Sequence, residues 1–132
     1  MTPAQDAPGP AELVTEFIDS WPGGDPATLA SFFAEDAVYH NMPLEPIVGR
    51  AAIEETFAGF VAMAPQIRFE TRHLLAEGDL VMTERVDHFT SDQGTISLPV
   101  MGAFEVRGGK IAAWRDYFDL NQFTSQMGGG DG

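Results

Sequence analysis

The chain has 132 residues, 44% of them hydrophobic, and it carries a formal net charge of −13 at pH 7. This size and apolar content allow one domain with a real hydrophobic core, and the absence of cysteine excludes disulfides, thiolate chemistry and cysteine-ligated metals. The acidic balance argues against nucleic-acid binding, which needs clustered Lys and Arg. The stretch MTPAQDAPGP lacks the features of a signal peptide, and no apolar run approaches the roughly 20 residues of a membrane helix. We therefore expect a cytoplasmic protein without nucleic-acid or membrane partners.

Three helices are predicted in the first half of the chain. Pro10 and the following AELVTEFIDSW begin the first, because apolar residues recur there at i, i+4 and i+8. Asp25 is expected to cap a second helix that begins at Pro26 and runs through Phe33. Gly49 leads into the third helix, RAAIEETFAGFVAM, whose apolar residues also have helical spacing.

Strands account for most of the remaining sequence. DAVYHNM is predicted to be a short strand, and PLEPIVG, with two prolines, a loop. Four later strands, separated by Gly-containing turns, are IRFETRHLLAE, LVMTERVDHFT, ISLPVMGAFEVR and KIAAWRDYFDL. Helices followed by an antiparallel meander indicate an α+β domain whose helices cover one face of a strongly curved sheet. The expected single domain spans residues 11–127, between flexible tails at 1–10 and 128–132.

The last predicted strand carries an aspartate on an aromatic face. Alternation along the strand places Trp114, Asp116 and Phe118 on the same side. Asp is rarely fully buried unless it is paired or hydrogen-bonded. Either this face is not the inner one, or Asp116 has a partner, for which an Arg on a neighbouring strand is the natural choice.

The strand LVMTERVDHFT repeats the pattern, because Arg85 and Asp87 share a face with Val81. The two charged residues lie about 7 Å apart along the strand, close enough to pair. Alternation does not decide which face is buried, and a solvated ion pair is the more common arrangement. If Arg85 instead lies between Asp87 and Asp116, two carboxylates share one guanidinium, and one carboxylate can stay protonated near neutral pH.

Two further patterns concern polar residues. Tyr39 and Asn41 share a face of an earlier strand and could hold one water molecule together, although both residue types are also ordinary at strand edges. His40, His73 and His88 show no HxH or HExxH spacing, so we interpret them as surface or filler residues rather than metal ligands.

The segments YHNMPLEPIVGRAAIE, TERVDHF and GGKIAAWRDYFDL combine Y-x-N, R-x-D and W-R-D-Y-F-D in this order. With them the sequence resembles the limonene-1,2-epoxide hydrolase family, from about residue 11 to 123. The resemblance implies a cone-shaped, nuclear-transport-factor-like (SnoaL-like or cystatin-like) α+β roll, with N-terminal helices packed in the concave face of a mixed sheet. It also implies a homodimer and a reaction without metal or organic cofactor.

The resemblance also assigns roles to residues. The family's Asp-Arg-Asp triad falls on Asp87, Arg85 and Asp116, and the Tyr and Asn that help to hold the nucleophilic water match Tyr39 and Asn41. The implied reaction adds water to a small lipophilic epoxide in one step, with Asp116 as general base and Asp87 as general acid. It yields a vicinal diol without a covalent intermediate. The residues expected to line the apolar substrate pocket are Leu44, Met63, Leu74, Val81, Leu98, Met101, Phe104, Trp114 and Phe118.

Two other functions remain open. A ketosteroid-isomerase-like isomerase uses a carboxylate and a tyrosine in an apolar cone of the same fold, but it has no use for an Arg between two Asp residues. A non-catalytic module that binds small ligands is the second alternative, because fold alone does not fix function. Formation of diols from cyclic and terpene epoxides would separate hydrolysis from both.

Overall fold

The computed structural model describes residues 9–127. Its helices and strands, in chain order, are α1 (Pro10–Asp19), α2 (Pro26–Ala30), β1 (Phe33–Asn41), β2 (Ile47–Val48), α3 (Arg50–Met63), β3 (Gln66–Glu77), β4 (Leu80–Ser91), β5 (Gly94–Arg107), β6 (Lys110–Tyr117) and α4 (Leu120–Met127). The six strands form one curved, mixed sheet in the order β2-β1-β6-β5-β4-β3. β1 and β6 are parallel, and the other neighbouring pairs are antiparallel. The predicted α+β fold class is confirmed.

Local sequence signals explain where the first two helices begin. Pro10 is the first residue of α1, and the Glu12 carboxylate accepts a 2.8 Å hydrogen bond from the Gly9 N–H. Asp25 caps α2 by accepting a 3.2 Å bond from the Thr28 N–H, as predicted. The predicted extension of α2 through Phe33 is wrong, because the Phe33 side chain is fully buried at the start of β1.

Two elements were absent from the predictions. The segment predicted to be loop contains β2, which pairs with β1 through Val38↔Val48 and Tyr39↔Ile47. Helix α4 has only eight residues and buries none of them fully, so it offers little apolar sequence from which a helix can be predicted. The expected flexible tails lie outside the described residues, apart from Gly9 and Pro10.

The hydrophobic core lies between α1, α3 and the inner face of the sheet. Phe17 of α1 packs edge-on against Phe33 and Trp114, with ring centroids 5.2 Å apart in both pairs. Phe57 of α3 packs against Trp21 at 4.9 Å. Each such buried aromatic contributes roughly 1.5–3 kcal/mol. None of the helices in residues 9–127 combines the length and apolar character that a bilayer crossing requires.

Candidate active site

Four polar side chains are buried on the inner face of β4 and β6: Thr83, Arg85, Asp87 and Asp116. Arg85 is 1% exposed, Asp87 3% and Asp116 4%. The face of β6 that carries Trp114 and Asp116 is therefore the inner one. Interpretation of Arg85 and Asp87 as a solvated ion pair is wrong, since both point into the interior.

Arg85 uses its five N–H donors on three partners. Nε and Nη2 donate to the two oxygens of Asp87 at 2.9 and 2.7 Å. Nη2 and Nη1 also donate to the two oxygens of Asp116 at 2.7 and 3.2 Å. The remaining bond, from Nη1 to the Thr83 hydroxyl, is 3.1 Å long. The guanidinium therefore bridges the two carboxylates and fixes the position of each.

The strand register brings the two carboxylates to the same guanidinium. Gly102 of β5 lies between its two register partners, Thr83 on β4 and Asp116 on β6. Arg85 reaches Asp116 across this position, where a Cβ would lie 2.5 Å from Arg85 Nη1 and 2.6 Å from Asp116 Oδ1. The site therefore needs a residue without a side chain at position 102.

Aromatic rings surround the charged group. The Trp114 indole N–H donates a 2.6 Å hydrogen bond to Asp116 Oδ1. The Arg85 guanidinium lies over the ring of Phe69, with its carbon 4.9 Å from the ring centroid, and 5.8 Å from that of Trp114. Both rings offer their π-faces to the cation, so they stabilise its charge where water is excluded.

The parallel pairing of β1 with β6 positions the polar pair predicted to hold water. Tyr39 lies opposite Trp114 and stacks on it, with ring centroids 4.3 Å apart. Asn41 lies opposite Asp116. The Tyr39 hydroxyl donates a 3.3 Å hydrogen bond to the Asn41 side-chain oxygen. The structure thus brings all five predicted catalytic residues together.

Burial is the largest single influence on the pKa values of this cluster. It raises the pKa of Asp87 to about 6, although Arg85 works in the opposite direction. Burial also raises the pKa of Tyr39, and the charge of Asp116 adds to this effect. For Arg85, burial alone would lower the pKa, but the attraction of Asp116 and Asp87 outweighs it and the pKa is raised. Arg85 therefore remains a fixed cation, while Asp87 is suited to exchange a proton near neutral pH.

An apolar cavity of about 610 Å³, its open mouth included, lies beside the cluster. Asp87, Asp116, Tyr39 and Asn41 form its polar wall. The remaining lining residues are apolar and come from the β1–β2 loop, from α3, β3, β4 and β5, and from the C-terminal segment: Leu44, Phe60, Met63, Phe69, Phe89, Leu98, Val100, Phe118, Leu120 and Phe123. A largely apolar lining with a few convergent polar groups is typical of a site for a small lipophilic molecule.

Four of the nine predicted lining residues border the cavity: Leu44, Met63, Leu98 and Phe118. The other five do not. Val81, Phe104 and Trp114 are fully buried in the core, and Leu74 packs against that core. Met101 does not line the cavity either. Because side chains alternate along a strand, Met101 lies on the face of β5 opposite to Leu98, where it is 47% exposed.

Sequence reasoning missed three residues that shape the site, Thr83, Phe69 and Gly102. Thr83 could have been found, since it precedes Arg85 by two residues on the same strand face. An isolated Gly within a strand pattern also signals a close approach of other groups, as at Gly102. Phe69 carries no comparable signal.

The side chains of the histidines make their contacts with groups outside the catalytic cluster. His40 Nε2 is 2.9 Å from the Leu44 carbonyl oxygen, and His73 pairs with Glu84 on the surface. His88 bridges two other side chains, lying 2.8 Å from Ser97 and 3.0 Å from Glu70. Within residues 9–127, no group of three or more His, Asp or Glu is arranged to hold a metal ion.

Comparisons with known proteins find relatives by sequence and by fold. The chain is 31% identical over 109 residues to epoxide hydrolase EphG of Mycobacterium tuberculosis, covering 81% of this chain and 71% of that protein. A solved M. tuberculosis LEH-like epoxide hydrolase superposes with a TM-score of 0.74 at 28% identity, covering 88% of this chain and 86% of the other. A Catenulispora acidiphila protein with a ketosteroid isomerase-like fold, in complex with trimethylamine, gives a TM-score of 0.78 at 26% identity, with coverages of 89% and 92%.

The family assignment follows from the sequence itself. Residues 14–114 match the profile of the SnoaL-like domain. The chain therefore belongs to the SnoaL-like domain family of the nuclear-transport-factor-like superfamily, and its resemblance to the limonene-1,2-epoxide hydrolases is confirmed.

Proposed function

We propose that this protein is an epoxide hydrolase that adds water to a small lipophilic epoxide in one step and releases a vicinal diol. The observation that carries the proposal is the shared Arg85 Nη2, which lies 2.7 Å from both Asp87 and Asp116 at the wall of an apolar cavity. The sequence similarity to EphG and the structural similarity to the LEH-like epoxide hydrolase support the same reaction class.

Asp116 is assigned as the general base. Three N–H bonds, one from Trp114 and two from Arg85, converge on its oxygens and hold this acceptor in place at the cavity wall. Asn41 is its neighbour across the β1–β6 pair, so a water held by Tyr39 and Asn41 would lie beside the base. Asp116 takes a proton from this water as the water oxygen forms a bond to an oxirane carbon.

Asp87 is assigned as the general acid. Its raised pKa of about 6 keeps part of the population protonated near neutral pH. Asp87 gives this proton to the epoxide oxygen as the carbon–oxygen bond of the ring breaks. Acid and base assistance of this kind each contribute about 10²–10⁴-fold. Return of a proton from Asp116 to Asp87 resets the site, so no ester intermediate and no cofactor are needed.

A single turnover in ¹⁸O-labelled water tests direct attack by water. With enzyme in excess over epoxide, the label should enter the diol in the first turnover. If the first diol is unlabelled and the label enters a protein carboxylate in that same turnover, the nucleophile is a carboxylate and the proposal is wrong.

The variant Asp116→Asn tests the base. It retains the size of the side chain but removes its capacity to take a proton, so diol formation should fall by at least about 10²-fold. Asp79→Asn, an exposed change in the β3–β4 turn, is the matched control and should keep the parental rate. Circular dichroism checks the fold of both variants. Turnover by Asp116→Asn at the parental rate would overturn the assignment.

Two proposals complete the function. Homodimer formation, implied by the family resemblance, is tested by sedimentation of the full chain.

The isomerase and ligand-binding alternatives are tested with a panel of cyclic and terpene epoxides alongside an unsaturated ketosteroid. Diol from any epoxide supports hydrolysis, whereas double-bond migration in the steroid without diol formation supports isomerisation.

A further inference from the structure

A second groove adjoins the catalytic cavity and shares two walls with it. These walls are Met63, at the end of α3, and Phe89, near the end of β4. The groove has a volume of about 840 Å³, its open side included. A Met side chain is unbranched and rotates about three bonds, so Met63 is a movable part of the partition between the two spaces.

Helix α4 covers both spaces. Leu120 and Phe123 face the catalytic cavity, whereas Gln126 and Met127 face the groove. This spacing of three and four residues places all four side chains on one side of the helix. The Gln126 side chain accepts a 3.0 Å bond from the Ser97 N–H and donates a 2.9 Å bond to the Ser97 carbonyl, which holds α4 on β5.

The groove differs in chemistry from the cavity. At the tip of the β4–β5 hairpin its wall includes Ser91 and Gln93, which are neutral hydrogen-bonding residues. Among the described residues, no Lys or Arg lines either space. The nearby Arg85 already uses its five donors, and the chain has a net charge of −13. A carboxylate on the substrate would therefore lack a cationic partner here, whereas a hydroxyl or carbonyl could be hydrogen-bonded.

The strand geometry sets the length of a matching ligand. Ser91 follows Asp87 by four residues on β4, which corresponds to about 13 Å at roughly 3.3 Å per residue. With carbon–carbon bonds near 1.5 Å, an extended alkyl chain covers this distance with about ten carbons.

We propose that the preferred substrate is an elongated, uncharged epoxide with a neutral polar group at its far end. Its ring lies between Asp87 and Asp116, its chain passes Met63 and Phe89 under α4, and its polar end reaches the hairpin tip. This inference rests on the proposed hydrolase function, because it extends the same site.

A comparison of substrates tests the proposal with the unmodified protein. kcat/KM is measured for 1,2-epoxyhexane, 1,2-epoxydodecane and the ω-hydroxy and ω-carboxy derivatives of the latter. Each methylene that becomes buried should raise kcat/KM by up to about fourfold. The ω-hydroxy compound should exceed the ω-carboxy compound by at least about tenfold. Values that are flat or fall with chain length, or a preference for the carboxylate, would overturn the inference.

A variant that fills the groove gives a second test. Ile96 lines the groove but not the catalytic cavity, so Ile96→Trp should lower the dodecyl-to-hexyl ratio of kcat/KM at least about tenfold. Leu75→Trp, at a position 78% exposed on β3, is the matched control and should keep the parental ratio. An unchanged ratio in Ile96→Trp would contradict the proposed path.

Binding separates this inference from the proposed function. Calorimetry on the unmodified protein gives the affinities of hexane-1,2-diol and dodecane-1,2-diol whether or not the protein is catalytic. Tighter binding of the longer diol, lost in Ile96→Trp, supports the groove even if no epoxide is hydrolysed. Equal affinities overturn it even if short epoxides are hydrolysed.

Discussion

Replacement of Gly102 by Ala is the most direct test of the site's geometry. The new Cβ would lie 2.5 Å from Arg85 Nη1, 2.6 Å from Asp116 Oδ1 and 3.0 Å from Thr83 Oγ1, whereas ordinary contact begins at 3.4 Å. The two charged groups must therefore move by close to 1 Å, and Arg85 cannot keep its bonds to both carboxylates. A misplacement of this size costs on the order of 10²-fold in rate, and overpacking a buried position costs about 1–3 kcal/mol of stability.

The assay pairs the initial rate of diol formation with a thermal unfolding curve. We expect kcat to fall about 10²-fold, with a loss of several degrees in Tm. Gly59→Ala is the matched control, because a Cβ there meets nothing within 4 Å and alanine favours the helix α3 that contains it. This control undergoes the same chemical change without a steric clash, so it should keep its rate. A Gly102→Ala protein with parental kcat would refute the argument that Arg85 must cross this position to serve both carboxylates.

Other predictions follow from single groups. kcat/KM should fall about tenfold per pH unit above pH 6, where Asp87 loses its proton, and a profile that is flat to pH 9 would refute the acid assignment. Because this pKa is raised by folding, the stability that Asp87 contributes is complete below about pH 4 and is lost as pH rises through about 6. Urea titrations at pH 4 and pH 7 give the free energy of unfolding of the parent and of Asp87→Asn. Between these pH values the parental free energy should fall by about 3 kcal/mol relative to that of the variant. Parallel pH dependences of the two proteins would contradict this. Trp114→Phe removes one N–H donor of Asp116 and should lower kcat about tenfold with little change in KM, whereas an unchanged kcat would show that this bond does not position the base. Asp25→Ala removes the cap of α2 and should lower the free energy of unfolding by about 1 kcal/mol at unchanged kcat, and an unaffected stability would contradict the capping role.

The elements that could be predicted from the sequence are those specified by local chemistry. Pro10 and the Asp25-Pro26 pair mark helix starts because capping and a fixed φ act within one turn. The end of α2 could not be read in the same way, because the burial of Phe33 depends on a strand almost eighty residues later, where Ile111 is its register partner. Helix α4 was missed for a related reason, since contacts with β5 rather than a buried stripe hold it in place.

The candidate site shows the same division between local and long-range information. Alternation placed Arg85 and Asp87 on one face, but the choice between inner and outer face depends on what the sheet packs against. The approach of Asp116 depends on two registers that meet at Gly102, and no short segment encodes them. The error at Met101 was avoidable, because its odd number places it on the face opposite to Leu98.

The charge balance of the cluster links its stability to its chemistry. With both carboxylates ionised, Arg85, Asp87 and Asp116 bury a net charge of −1, which is costly in a site walled by Phe69 and Trp114. One added proton makes the cluster neutral. Asp116 accepts an additional N–H bond from Trp114 that Asp87 lacks, so Asp87 is the favoured carrier of that proton. Burial of this trio therefore favours the state in which one carboxyl can donate a proton while the other can accept one. In the proposed reaction, the aromatic walls that exclude bulk water from the epoxide thus also set the protonation state that ring opening requires.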